Sequence, residues 1–379
     1  MKVAIVDISR KVPLYDYALC DSLSESLSDN DKMLFIAPPG VPFINKPWEY
    51  KLHSLLPSFM QRRQGILRRL LKAAEVYVNY LKLARIVKKE SIDVLHMQWL
   101  PLLEINTNEY HILKYIKSNS NIKIVLTVHN LFPHNKSVEQ KIEYKGRFKL
   151  ISTFIDHFVV HTEKSKEELC NEFGISEDKV SVIYHGIFKS RVEPKDTSDK
   201  IRFIMFGTQS YYKGTDLLIH AYASLSKEDK DKSSCTIIGR ADKNFYEDLK
   251  HIVEESGVSF NPTFVDEKYL NSEISSSDVI VIPYRAITQS GVLLKAINYQ
   301  KAILASDLPA FKETLKGFPD ELFFKNEDVN DLALYLHRYI IGELSTQDQH
   351  TYLLQLQDLY SWEKSATKTI QLYKTLISK

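Results

Sequence analysis

Short apolar runs of four to seven residues recur along the chain, each followed by a longer stretch with helical spacing. Runs that are apolar at consecutive positions and rich in Val and Ile read as strands buried on both faces. Their alternation with helical segments predicts a parallel sheet covered by helices. In the first half the runs are Lys2–Ile8, Met33–Ala37, Asp93–Met97, Ile122–Val128, His157–Val160 and Val180–Tyr184. In the second half they are Ile201–Phe206, Cys235–Gly239, Thr263–Val265, Val279–Pro283, Ala302–Ala305 and Leu322–Phe324. Two consecutive sets predict an α/β protein of two doubly wound, Rossmann-like domains.

The seam falls in residues 190–200, which carry charge, a proline and turn formers but only one apolar side chain. That places the boundary near Pro194, with domains at 1–193 and 194–360. Residues 38–57 hold five prolines and three aromatics, too irregular for a helix, and read as an ordered excursion beside the first sheet. At the end of the chain, Trp362, Ala366, Ile370, Tyr373 and Leu376 make one apolar helical stripe, with Ser361 as N-cap. This segment, 361–379, either packs along its own domain or crosses back to the first. No repeat of solenoid period and no low-complexity tract interrupts the pattern.

Composition adds exclusions. At 379 residues the chain exceeds what a single core comfortably serves, and 44% hydrophobic with 26% charged residues is ordinary for a globular protein. A net charge of +2 makes no demand for nucleic acid as a partner. Cys20, Cys170 and Cys235 are odd in number and far apart, so neither a disulfide framework nor a zinc site is expected, and a reducing cytosol fits. Asp7 interrupts the first apolar stretch, which argues against a signal peptide. No window approaches the ~18 apolar residues of a spanning helix. A cytoplasmic protein is expected, with the inner membrane face as an open second location.

Ligands of doubly wound sheets lie beyond the carboxyl ends of the strands, so the loops there carry the candidate chemistry. In Gly207-Thr208-Gln209-Ser210-Tyr211-Tyr212-Lys213-Gly214, Lys213 precedes a helix expected to begin near Thr215. A lysine beside backbone N–H groups suits a diphosphate; the alternative is a surface lysine in a turn closed by Gly214. In Pro283–Val292, Thr288 or Ser290 caps a helix, and Gly291 leaves backbone room for an anion at its positive end. A well-capped core helix is the bland alternative. The Gly-x-Gly-x-x-Gly dinucleotide pattern, a Walker lysine and a Gly-x-Ser-x-Gly elbow are all absent, which disfavours NAD-dependent oxidation.

In the first half, the strand ending at Val128 runs into His129-Asn130, and His129 is placed for a sugar hydroxyl, a phosphate oxygen or a plain backbone contact. His96 and Gln98 end the preceding strand. Residues 61–90 carry nine basic side chains against Glu75 and Glu90, with apolar residues between them at helical spacing. Such a helix either rests on anionic lipid or is simply solvated.

In their order and spacing, these pieces resemble the glycosyltransferases of the two-Rossmann-domain type, GT-B, and specifically family 4. The matching stretches include Asp93–His96, Thr127–His134, Val159–Leu169, Val182–Gly186, Gly207–Gly214, Ile237–Arg240, Ser277–Tyr284, Thr288–Leu293 and Ser361–Lys364. The resemblance implies two domains about a central cleft and transfer of a sugar from a nucleotide diphosphate sugar, with retention at the anomeric carbon and without metal or other cofactor. Its acceptor would be a carbohydrate or lipid-linked saccharide in polysaccharide, capsule or glycolipid assembly. It implies His129 and Lys213 as catalytic residues. Its donor set is Gly207, Thr208, Lys213, Gly239, Arg240, Thr288, Gln289, Ser290, Gly291 and Lys295.

Two departures stand out. The glutamates that many family members carry eight positions apart are Ile287 and Lys295 here, as in a Gln-Ser-Gly subgroup. The arginine usual after the first donor-loop glycine is Thr208 or Ser210. Arg240, Arg285 and Lys295 are the candidates to replace its charge. A catalytically silent relative that binds a sugar nucleotide or a partner enzyme is one alternative. A nucleotide-sugar epimerase is the other, and the missing carboxylates oppose it.

Overall fold

The computed structural model describes residues 1–38, 46–52, 66–132, 137–188, 199–287 and 290–378. The chain forms two compact units, one of residues 1–186 with 360–379, the other of residues 187–359. The boundary expected near Pro194 lies outside the described residues.

The first unit holds a seven-stranded, all-parallel sheet: β1 Lys2–Val6, β2 Lys32–Ala37, β3 Glu49–Lys51, β4 Val94–Met97, β5 Lys123–Thr127, β6 His157–Val160 and β7 Val180–Val182, in spatial order 3-2-1-4-5-6-7. Alternation along β1 sends Ala4 and Val6 to one core, shared with the helices Ile66–Glu90, Asn108–Ser118 and Val138–Ser152. Val3 and Ile5 enter the opposite core, with the helix Pro13–Ser26 and the terminal helix Trp362–Ser378. The terminal helix carries Trp362 against Gly186, where a Cβ would meet the indole at 2.2 Å, so only glycine admits that ring. Ser361 Oγ accepts the Lys364 N–H, as an N-cap does.

The second unit holds a six-stranded parallel sheet: β8 Ile201–Phe206, β9 Ser233–Ile238, β10 Ser259–Asn261, β11 Val279–Ile282, β12 Ala302–Ser306 and β13 Phe323–Phe324, in order 10-9-8-11-12-13. Strand order therefore reverses between β1 and β4 in one unit and between β8 and β11 in the other. Those are the switch points at which such sheets take ligands.

Two strands differ from the sequence pattern. The edge strand expected at Thr263–Val265 is Ser259–Asn261 instead, because Thr263 takes a turn fixed by the Asn261 side chain. Within residues 38–57 the sequence shows no strand, yet Glu49–Lys51 pairs with β2. Of the basic segment, residues 61–65 and the side chains of Arg68, Arg69 and Lys72 lie outside the description; the helix Ile66–Glu90 is present. Among the described residues no helix is long and apolar enough to cross a membrane.

One buried acid braces the loop after β4. Glu109, at the start of the helix Asn108–Ser118, accepts from the Tyr80 hydroxyl and from the Leu102 N–H at 3.1 Å. Burial pushes its carboxyl up to about 7, and those hydrogen bonds offset only part of the shift. A raised folded-state pKa means stability that is complete below the ordinary glutamate range and lost as pH rises through 7. Glu109→Gln keeps an acceptor without a charge. The variant is therefore expected to exceed the parent at pH 8 by up to roughly 3 kcal/mol, with little difference at pH 5. Parallel loss of stability in both proteins between pH 5 and 8, measured by urea unfolding, would show that Glu109 is not the titrating group.

Candidate functional site

At the switch point of the second unit, three loop starts come together. β8 runs into Gly207, whose φ of +99° is left-handed territory that favours glycine. β9 ends at Gly239, where a Cβ would meet the Gly207 carbonyl oxygen at 2.1 Å, so the two chains touch through backbone alone. Gln209 continues the ladder by bridging Ala241, and its buried amide donates to the Gly207 carbonyl at 2.6 Å while accepting from Thr215. The turn Tyr211–Lys213 then closes on Gly214 and opens the helix Thr215–Ala223.

Lys213 is the chemical centre of this arrangement. Its side chain is 8% exposed, and its Nζ lies 3.5 Å from the Cβ position of Gly207, beside Val292. The ammonium sits 5.2 Å from the centre of the Tyr284 ring, and no carboxylate pairs with it among the described residues. Burial without a partner holds its pKa below the ordinary lysine value. Across from it the helix Gly291–Tyr299 begins with Ser290 as N-cap, its Oγ accepting the Leu293 N–H at 3.1 Å. A Cβ on Gly291 would meet nothing within 4 Å, so that face of the helix start is open. A buried ammonium with no carboxylate partner among the described residues, beside a helix N-terminus, is chemically able to hold an anion.

Of the other donor-set residues, Thr208 and Arg240 are exposed, and Thr288 and Gln289 lie outside the described residues. Lys295 pairs with Glu267 at 3.5 Å. Arg285 forks onto Asp216 at 2.8 and 2.7 Å, so its charge is already neutralised and does not stand in for the absent loop arginine.

The first unit gathers a different set. His129 follows β5, and its Nδ1 lies 3.2 Å from Nε2 of His161, whose Nδ1 faces the Ile183 carbonyl at 2.8 Å. A carbonyl only accepts, so His161 Nδ1 carries the proton. A neutral His161 then accepts from His129 Nδ1–H, which leaves His129 Nε2 as a bare lone pair. Burial keeps both rings neutral: it lowers His161 to about 4 and His129 well below the ordinary histidine value. His129 Nε2 is closed to solvent and has no partner among the described residues. Trp99 stacks beside the ring and Tyr15 meets it edge-on.

A cavity of about 270 Å³ adjoins this histidine, walled by Lys11, Trp99, Thr127, Val128, Asn130, Tyr144 and Phe148. Tyr15 and His161 were invisible to local pattern, since their contacts with His129 span distant parts of the chain. His96, at the end of the preceding strand, bridges the Tyr373 and Thr127 hydroxyls from within the core. Among the described residues no group of three or more His, Cys, Asp or Glu side chains is gathered as a metal site.

Two doubly wound parallel-sheet units in succession are the architecture of the GT-B glycosyltransferases. Residues 41–191 match the model of Glycosyltransferase Family 4, and residues 200–340 match that of Glycosyl transferases group 1. The chain is 25% identical over 313 residues to an uncharacterized glycosyltransferase of Methanocaldococcus jannaschii, covering 75% of this chain and 76% of that one. It is 24% identical over 196 residues to the O-antigen chain mannosyltransferase RfbU of Salmonella typhimurium, covering 50% and 54%. Among solved structures, a glycosyltransferase from Rickettsia africae superposes with a TM-score of 0.70 at 16% identity, covering 100% and 98%. Anabaena HepE in complex with UDP gives 0.66 at 14%, covering both chains fully. The chain belongs to the family 4-like glycosyltransferases of GT-B fold.

Proposed function

We propose that this glycosyltransferase moves a sugar from a nucleoside diphosphate sugar to an acceptor hydroxyl, with retention of anomeric configuration, in the assembly of a surface polysaccharide or glycolipid. The observation that carries the reading is Lys213, a buried ammonium with no carboxylate partner among the described residues, beside the start of the helix Gly291–Tyr299. As the bond from the anomeric carbon to the diphosphate oxygen breaks, negative charge grows on the leaving group. Lys213 and the N-terminus of the helix Gly291–Tyr299 stabilise that charge, acting more strongly on the transition state than on the bound donor. The acceptor oxygen bonds to the anomeric carbon on the same face, and its proton passes to the departing diphosphate. The first unit takes the acceptor, in the cavity that His129 lines.

The relation to an O-antigen mannosyltransferase and the UDP bound by HepE favour this donor chemistry and a saccharide acceptor. Nucleoside diphosphate sugars of several bases and sugars, offered with simple glycoside acceptors, test it. Product anomeric configuration read by proton coupling decides retention. Donor binding with no turnover on any acceptor would instead favour the silent relative, for which the absent glutamates at Ile287 and Lys295 speak.

The acceptor is further proposed to reside at an anionic membrane, with the helix Ile66–Glu90 as the contact. Its exposed positions include Arg85, Lys88 and Lys89 with Leu81, which is 60% exposed. Replacing Arg85, Lys88 and Lys89 by glutamine is expected to weaken binding to phosphatidylglycerol vesicles by roughly 100-fold, at about 1 kcal/mol per basic residue. A parent protein that does not sediment with such vesicles removes the idea.

A further inference from the structure

Asp216 lies three residues after Lys213, in the first turn of the helix that Lys213 precedes. The guanidinium that holds Asp216 also donates to the Tyr211 carbonyl, so this half-buried carboxylate stands beside the Tyr211–Lys213 turn, near an ammonium with no carboxylate partner among the described residues. A pairing of the two would neutralise the charge that a diphosphate needs. It does not form. Asp216 is held instead by both terminal nitrogens of Arg285, 69 residues away, in a fork at 2.8 and 2.7 Å with side chains only 17% and 11% exposed.

Arg285 is itself firmly placed. Its guanidinium lies 3.9 Å from the Tyr211 ring centre, Nη1 donates to the Tyr211 carbonyl, and its backbone N–H donates to the Tyr212 carbonyl at 2.8 Å. The Arg285 carbonyl in turn accepts from Asn326, and Glu327 lies 3.5 Å from Nε. Bidentate arginine–carboxylate pairs outcompete lysine for the same acid, because the planar fork matches both oxygens at once.

We propose that Arg285 is a positioning residue that keeps Lys213 available to the donor by occupying Asp216. The inference rests on the donor reading of Lys213 but concerns a different residue, an arginine beside the donor loops whose terminal nitrogens are taken by Asp216. Without Arg285, Asp216 turns to Lys213, the ammonium becomes paired, and an incoming diphosphate must break that pair.

The test is UDP binding by calorimetry to the full chain and to Arg285→Gln, Arg285→Lys, Asp216→Asn and the double variant Arg285→Gln with Asp216→Asn. Arg285→Gln is expected to weaken UDP roughly 10- to 100-fold, the scale for a buried charge left without its partner. Adding Asp216→Asn is expected to restore affinity to within about threefold of the parent, because no carboxylate remains to capture Lys213. Asp216→Asn alone is expected to bind UDP at least as well as the parent. Arg285→Lys, which still occupies Asp216 with a point charge, is expected to lie near the parent and serves if the glutamine variant does not fold.

An Arg285→Gln defect that Asp216→Asn fails to relieve would show that Arg285 acts only as a loop anchor or contacts the donor directly. Unchanged UDP binding in Arg285→Gln would equally overturn the proposal. A second readout is independent of any donor: the titration of Lys213 followed by NMR of its ¹³C-methylated amine. Its pKa is expected to rise in Arg285→Gln and to return in the double variant. Failure of the parent to bind UDP, with that titration pattern intact, would sink the donor reading and leave the positioning role standing.

Discussion

Lys213→Ala is expected to lower nucleoside diphosphate affinity by roughly 10- to 100-fold, the range for losing one charge-assisted hydrogen-bonding group. Transfer should fall further, by about 100-fold or more at saturating donor, because charge on the leaving diphosphate peaks in the transition state. Stability should move the other way. The ammonium is buried, lacks a carboxylate among the described residues, and has its pKa held down by desolvation, so the folded chain bears its cost. Lys213→Met, which keeps the packing, is therefore expected to unfold at the same urea concentration as the parent or a higher one. The depressed pKa also sets a sign. A bound diphosphate favours the charged amine, so affinity falls as pH rises through the free-state value, and this dependence vanishes in Lys213→Met. Equal UDP affinity in parent and variant, or a clear loss of stability, would show Lys213 to be a packing residue.

What was legible in the sequence follows from locality. Buried parallel strands announce themselves because consecutive positions are apolar: Val3–Val6, Phe203–Phe206 and Val279–Ile282 needed no neighbour to be recognised. The edge strands Glu49–Lys51 and Ser259–Asn261 are short and polar, since one side meets solvent, and they carry no comparable pattern. The same division holds at the site. Lys213 could be singled out because it adjoins Gly214 and a helix start, all within a few residues.

Arg285 could not be assigned. Sequence offers it as a spare cation, whereas its fork onto Asp216 depends on a pairing 69 residues distant. His129 was likewise visible as a strand-end histidine. The tautomer that makes it an acceptor, however, is set by His161 and the carbonyl of Ile183, which only the β5–β6–β7 ladder brings alongside. Position along a strand is written locally; protonation and pairing are written in the tertiary contacts.

Two glycines with the same backbone separate strain from crowding at the donor loop. Gly174 and Gly214 both have φ of +69°, with ψ of 29° and 28°. An added Cβ at Gly174 would meet nothing within 4 Å, whereas at Gly214 it would stand 1.8 Å from the Pro283 carbonyl oxygen. Gly174→Ala is therefore expected to cost only the left-handed penalty, about 1 kcal/mol. Gly214→Ala carries that penalty and also forces apart the two loops that hold Lys213 and Arg285. Its total is expected to reach roughly 3 kcal/mol or more, the range of changes that combine strain with overpacking. Because the displaced loops form the anion site, the variant should also bind UDP more weakly even where it remains folded, while Gly174→Ala binds normally. Urea unfolding and UDP titration of both variants decide the matter. Equal stability losses would mean that backbone conformation alone explains Gly214, and that the close approach of the Tyr211–Gly214 and Pro283–Arg285 loops contributes nothing to the donor site.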